Sequence, residues 1–285
     1  MNFKSFIELA IEKILRFFCT TAHASQIHAL IKDGASLEIT EMIKKTESVI
    51  EERDEEGMVP LHWAVIFDRR DIIEALLARG ADINAASDDG STALHWAISQ
   101  NNRDLAKLII YSGAEINPQN TDGETPLHRA IELGGLELAT LLIERGADVN
   151  IRENLEETPL HIAAKFVNCE IVELLLSKGV DINARNRYKT TPLQHSITYG
   201  NEEVAALLIK RGAEINTRDN FERTPLHDAC EHGLLDVVKL LIANGAGINV
   251  KDADGETPLF LCASEDKKEI ATLLLKHGAV IEVKQ

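Results

Sequence analysis

The sequence predicts an all-α solenoid built from short helix-turn-helix units. Three observations carry that reading. Thr-Pro-Leu-His stands complete at Thr125-Pro126-Leu127-His128, Thr158-Pro159-Leu160-His161 and Thr224-Pro225-Leu226-His227. Partial copies begin at Val59, Thr92, Thr191 and Thr257, so the seven first positions are 59, 92, 125, 158, 191, 224 and 257. Every interval is 33 residues, with no insertion or deletion. A strict period of this length means stacked supersecondary units, each too small to bury its apolar face alone.

Within a unit, the Thr opens an inner helix. Its hydroxyl can cap the helix, and Pro at the first helical position gives up a donor that has no partner there. Leu and the later Ala, as in Leu127 and Ala130, are the packed positions. A short turn follows, and then an outer helix with apolar residues at spacings of three and four, as in Leu138, Leu141 and Leu142. A Gly such as Gly146 or Gly245 ends it with a left-handed cap. Endings of the type Gly80-Ala81-Asp82-Ile83-Asn84 and Gly146-Ala147-Asp148-Val149-Asn150 then lead to the next unit.

Motif, period and ending together resemble the ankyrin-repeat family over about residues 54–285. The resemblance implies a β-hairpin finger after each ending, and motif histidines that bond backbone or Thr hydroxyl groups between units. It also implies a protein-interaction role, found in eukaryotic signalling and among host-directed effectors of intracellular bacteria.

Three segments are expected. Residues 1–20 read as an amphipathic helix, with Phe3, Phe6, Ile7, Ile14, Phe17 and Phe18 on one half of a helical wheel. It either caps the open end of the stack or serves as a membrane-surface or partner helix. Residues 21–54 read as a degenerate first repeat, with Ile27, Leu30 and Ile31 on an inner helix and Ile39, Met42 and Ile43 on an outer one. Residues 55–285 hold the seven repeats, the last acting as a C-terminal cap. Ala22-His23-Ala24 looks like a signal-peptidase site, but Glu8, Glu12, Lys13 and Arg16 spoil the apolar segment that such a signal needs.

Composition narrows the function. The net charge of −16 opposes nucleic-acid phosphates and anionic lipid. The four cysteines are scattered without a CxxC, which fits a reducing, cytoplasmic setting; secretion into a host cell as an effector is the alternative location. Phosphate-binding loops, HExxH and GxSxG are all missing from the sequence, so no catalytic residue, cofactor or metal is assigned. His227, Cys230 and His232 have a loose metal-like spacing, yet Cys230 occupies a position held by Ile98, Ile131 and Ile197 in other units and reads as an apolar filler. Trp63 and Trp96 read as half-buried structure.

Recognition is expected where units differ. Three residues before the Thr stand Glu56, Asp89, Asp122, Leu155, Tyr188, Phe221 and Asp254. The next residue is Gly in four units and Glu156, Lys189 and Glu222 in repeats 4–6, so those three fingers are expected to differ in turn geometry as well as chemistry. Eight after the Thr, the same repeats carry Phe166, Tyr199 and His232. Six before it stand Arg152, Arg185, Arg218 and Lys251, joined by Arg187, Lys189 and Arg223 as a cationic ladder, which either pairs locally with acids or contributes to binding. The reading is a monomeric, non-catalytic scaffold whose protein partner, apolar at its centre with acidic flanks, lies on the concave face of repeats 4–6. The alternatives are an adaptor or effector recruited to membranes by the N-terminal helix, and an enzyme with an unfamiliar site.

Overall fold

The computed structural model describes residues 26–45, 47–166, 168–262 and 267–281. The amphipathic segment of residues 1–20 lies outside them. Among the described residues the chain forms sixteen α-helices, one 3-10 turn (Glu47–Glu51) and an isolated antiparallel bridge between Ala86 and Thr92, with no strand.

A first helix pair, α1 (Gln26–Asp33) and α2 (Ser36–Lys45), buries Ile27, Ile31, Ile39 and Ile43. Seven pairs follow. They are α3 (Pro60–Ile66) with α4 (Arg70–Ala78), α5 (Ala93–Ser99) with α6 (Arg103–Tyr111), and α7 (Pro126–Glu132) with α8 (Leu136–Glu144). Then come α9 (Pro159–Lys165) with α10 (Cys169–Ser177), α11 (Pro192–Thr198) with α12 (Glu202–Lys210), α13 (Pro225–His232) with α14 (Leu235–Ala243), and α15 (Pro258–Leu261) with α16 (Lys268–Lys276).

The chain divides into two compact units. One runs to Gln100 and adds Asp104–Glu115; the other holds Asn101–Arg103 and everything from Ile116. In the first, α1, α3 and α5 stack as inner helices and α2 packs on α4 outside them. In the second, α7, α9, α11, α13 and α15 form the inner layer and α8, α10, α12, α14 and α16 the outer one. The core of each unit is the seam between these layers. Leu61, Leu94, Leu160, Leu193 and Leu226 are fully buried in it, as are Ile73, Leu105, Leu142, Leu175, Leu208 and Leu274 from the outer helices. Trp63 is buried outright, with its indole nitrogen donating to Asp54 Oδ2 at 2.7 Å; Trp96 is half-buried.

The motif histidine serves its own helix start through Nδ1, and in three units it reaches the following unit through Nε2. In repeats 1–4 and 6 the backbone N–H at the Thr position donates to His Nδ1 at 3.1–3.2 Å. Nδ1 is therefore the acceptor and Nε2 carries the proton. From there His62 donates to the carbonyl of Ala85 (2.8 Å), His161 to Thr190 (3.0 Å) and His227 to Glu256 (3.2 Å), each at the start of the following unit. Gln194 does the same with an amide: its Oε1 accepts from Thr191 N and its Nε2 donates to the Arg223 carbonyl. The inner helices also need partners for their last carbonyls. The residue ten after the Thr supplies one in several units: Arg69 reaches Ile31 and Lys32, Asn201 reaches Ala164 and Lys165, and Lys267 reaches Glu231.

The fingers share one geometry. In all seven, the backbone N–H of the residue two before the Thr bonds the carbonyl three residues earlier, and the outer residues close a wider bond, as in Lys189 to Asn186 (2.8 Å) and Asn186 to Thr190 (3.1 Å). This is a turn followed by a left-handed residue, the pattern of a three-residue hairpin loop. The expected difference in turn geometry is not found. Gly57, Gly123 and Gly255 have φ of 69°, 78° and 75°, and Glu156, Lys189 and Glu222 have φ of 63°, 59° and 59°. The reason is the surrounding ladder. The tip carbonyls of Leu155, Tyr188 and Phe221 accept from the backbone of Arg187, Asn220 and Ala253 in the next finger at 2.9–3.0 Å, which holds the turn whatever side chain sits in it.

Candidate recognition face

Six of the seven fingers are bracketed at the base by one acceptor side chain; in repeat 2 Ser87 donates instead, to Asp89 Oδ1 and the Ser91 carbonyl. Asn186 Oδ1 takes the N–H groups of Tyr188 (2.9 Å) and Thr190 (3.0 Å). Glu153 Oε1 takes those of Leu155 and Glu157, both at 2.8 Å, and Asp219 Oδ1 those of Phe221 and Arg223, both at 2.9 Å. The sequence carries this signal as an unbroken series of oxygen-bearing residues five before the Thr: Asp54, Ser87, Asn120, Glu153, Asn186, Asp219 and Asp252.

With the base fixed, the tips point away from the core. Leu155, Tyr188 and Phe221 are 39%, 50% and 65% exposed, which excludes rings folded back to fill the turn. Behind them, Tyr199 is half exposed, Phe166 half-buried and His232 exposed. The Lys165 ammonium lies 5.1 Å from the Tyr199 ring and 5.8 Å from the Phe166 ring, a cation–π arrangement that ties repeat 4 to repeat 5. Phe166 is also unlike its counterparts. It ends α9 in extended backbone (φ −110°, ψ 131°), whereas Leu133 and Tyr199 keep ψ near zero. The next residue in sequence is β-branched Val167, where neighbouring units carry Gly134 and Gly200, which tolerate the left-handed conformation.

The floor between tips and rings is polar and buried. Asn186 Nδ2 donates to Glu157 Oε1 at 3.4 Å and lies 3.2 Å from His195 Nε2, which is 3.3 Å from the same carboxylate. Burial holds His195 neutral, with its pKa lowered to about 4, and pushes Glu157 up, so this contact is not an ion pair at neutral pH. His161 packs edge-on to His195 at 5.3 Å, and burial lowers it to about 3. One unit on, burial raises Asp228 to about 7 although Arg223 Nε is only 3.6 Å away. Arg223 also pairs with Glu231 at 2.6 Å, and Gln194 Nε2 donates to Asp228.

The cationic ladder is placed differently from the rings. Arg152 donates to the carbonyls of Glu156 (2.9 Å) and Arg185 (2.6 Å), and Arg185 donates to that of Arg218. Arg218 binds the Lys251 carbonyl at 3.3 Å and pairs with Glu222 at 2.9 Å. Gln119, uncharged, makes the same two backbone bonds, to Gly123 (2.7 Å) and Arg152 (3.2 Å). The first job of this position is therefore to bridge fingers.

Residues 80–153, 151–219 and 215–285 match the family profile described as ankyrin repeats in three copies, and residues 56–88 match a single ankyrin repeat. The chain belongs to the ankyrin-repeat family. The chain is also similar to Inversin of Gallus gallus (35% identical over 69 residues), of Canis lupus familiaris (35% over 68) and of Homo sapiens (34% over 67). Each match covers 24% of this chain and 6% of the Inversin length, so the chain corresponds to a small part of those relatives. Ankyrin arrays are in general non-catalytic interaction modules, and the broad role of this one is a protein-interaction scaffold. Among the described residues no helix is long and apolar enough to cross a membrane, and no group of three His, Cys, Asp or Glu side chains is placed to hold a metal ion.

Proposed function

We propose that the array binds a protein partner on the face formed by the fingers and inner helices of repeats 4–6. The observation that carries this is the contrast among tips: Leu155, Tyr188 and Phe221 stand exposed in three consecutive units, while the tips of the other four units carry acids. Exposed aromatics in a row mark interaction sites, and aromatic residues dominate interface hot spots. Phe166, Tyr199 and His232 extend the same surface from the helix side, and Arg152, Arg185, Arg187, Arg218 and Arg223 border it with positive charge. The matching partner is a segment that is apolar and carries acidic residues, and its association weakens as salt is raised. The scattered thiols support a cytoplasmic setting; Cys169, Cys230 and Cys262 are unbridged. The protein is read as a monomer that binds in this way without catalysing a reaction.

The test is a library of random peptides displayed on phage and selected on the full chain, followed by affinities of the enriched peptides. Tyr188→Ala and Phe221→Ala are expected to weaken them with little change in melting temperature. Peptides that bind both variants as well as the wild type would place the site elsewhere.

A further inference from the structure

The cations that remain available on this face sit at its centre. Arg152, Arg185 and Arg218 are committed to backbone carbonyls, and Arg223 to Asp228 and Glu231. Arg187 and Lys189 are exposed, and among the described residues neither side chain has a hydrogen bond or ion pair. They flank Tyr188, so the tip of repeat 5 reads Arg-Tyr-Lys. At the two flanking places the other tips carry Glu55 and Gly57, Asp88 and Gly90, Thr121 and Gly123, Asn154 and Glu156, Asn220 and Glu222, Ala253 and Gly255. None of these is a cation, in a chain of net charge −16. Lys189 also holds a left-handed backbone (φ 59°) that glycine adopts at lower cost, and backbone strain of this kind is retained at functional positions more often than elsewhere. Lys165, over the Tyr199 ring, adds a third cation on the helix side.

Resting on the binding face proposed above, we infer that the partner docks a carboxylate on the repeat-5 tip, with apolar residues on either side against Leu155 and Phe221. The acid is thus central and the apolar contacts flank it, the reverse of the order read from the arginine ladder. The three tips are consecutive, joined by the backbone bonds Arg187 N to Leu155 O (2.9 Å) and Asn220 N to Tyr188 O (3.0 Å). Stacked helices lie about 10 Å apart and an extended chain advances about 3.3 Å per residue, so one finger matches about three partner residues. The segment that fits is an extended peptide with an apolar residue, an Asp or Glu three positions on, and a second apolar residue three beyond that.

The experiment uses the same displayed library on the full chain, counter-selected on the Tyr188→Ala/Phe221→Ala double variant. Synthetic copies of the enriched peptides are then titrated by fluorescence anisotropy. Arg187→Glu and Lys189→Glu should each weaken them at least tenfold and flatten the salt dependence. Lys239→Gln, which removes an exposed cation from the outer helix α14, should stay within twofold. Lys189→Gly should weaken binding while raising the melting temperature, which separates lost charge from lost folding. Enriched peptides that need Tyr188, lack a central acid and ignore the Arg187 and Lys189 reversals would overturn this inference and leave the binding face standing. Failure to enrich any peptide over the double variant would overturn both.

Discussion

The fingers of repeats 1 and 2 and those of repeats 4–6 have the same backbone and opposite surfaces. Glu55-Glu56-Gly57 and Asp88-Asp89-Gly90 are acidic and end on glycine; Asn154-Leu155-Glu156, Arg187-Tyr188-Lys189 and Asn220-Phe221-Glu222 are apolar at the tip and end on a charged residue. The turn hydrogen bonds and the positive φ recur in both sets. In repeat 1 and repeats 4–6 the shared geometry comes from groups that do not reach the tip surface: the bracketing acceptor, the ladder of tip carbonyls and the bridging Arg. In repeat 2, where Ala86 and Ser87 stand in those places, Asp89 Oδ1 holds the turn by accepting from Ser87 Oγ (2.5 Å) and Ser91 N (3.0 Å). Tip chemistry is therefore free to vary. Glycine is not equally replaceable, however. A Cβ added at Gly57 would meet Asp88 Oδ1 at 2.1 Å, and one at Gly123 would meet the backbone nitrogen of Asn154 at 2.9 Å.

The largest expected effect lies outside the compared surfaces. Leu160 is fully buried, and Leu160→Ala should destabilise the array by about 2–5 kcal/mol in denaturant titrations. Enriched peptides should still bind at temperatures where the variant is folded. Loss of binding with an unchanged melt would mean that the motif belongs to the recognition face rather than to the scaffold.

A pH effect comes next. Burial lowers His128 to about 4 and His161 to about 3, against an ordinary value of 6.5. As pH falls through 6.5 the unfolded chain takes up these protons first, so the stabilisation is full above 6.5 and is lost on the way down. Between pH 6.5 and 5 the loss is about 2 kcal/mol for each such histidine, from about 1.36 kcal/mol per pH unit. Asp228, raised to about 7, acts in the opposite sense: it favours the fold at low pH, and that contribution is lost as pH rises from its ordinary 3.8 through 7. Gln194 occupies the same motif place without titrating. His161→Gln should therefore narrow the gap in melting temperature between pH 7.5 and pH 5. An unchanged gap would show that His161 is not held neutral by the fold.

The smallest effect sharpens the comparison itself. Lys189→Gly should stabilise by about 1 kcal/mol, because the left-handed conformation is relieved. Gly57→Ala should destabilise, because the Asp88 side chain and backbone must shift. If both changes were neutral, the two sets of fingers would not differ in backbone demand, and Lys189 would carry no strain to explain.

Much of this was legible in the sequence. The 33-residue interval, Thr-Pro at the helix start and Gly-Ala at its end specify helices and caps through local rules, and the buried leucines follow from their spacing. The tips of repeats 4–6 were legible as departures from the repeat. Three things were not. Glu156, Lys189 and Glu222 keep the glycine turn because bonds from the next finger hold it, which is a contact about 32 residues away. The arginine ladder reads as free charge until its carbonyl partners are seen; Gln119 in the same series was the sign that charge is not required there. The extended backbone at Phe166 is marked in the sequence only by Val167 standing where neighbouring units carry Gly134 and Gly200.

On the proposed reading, repeats 4–6 recognise the partner and the acidic fingers do not. This contrast is tested most directly by measuring one enriched peptide against Tyr188→Ala and Asp89→Ala side by side, with the melt of each protein recorded. Tyr188→Ala should cost about 2 kcal/mol or more in binding, roughly thirtyfold in affinity, at an almost unchanged melting temperature. Asp89→Ala should leave the affinity within about twofold. Equal losses from the two changes, or a larger one from Asp89→Ala, would contradict the account.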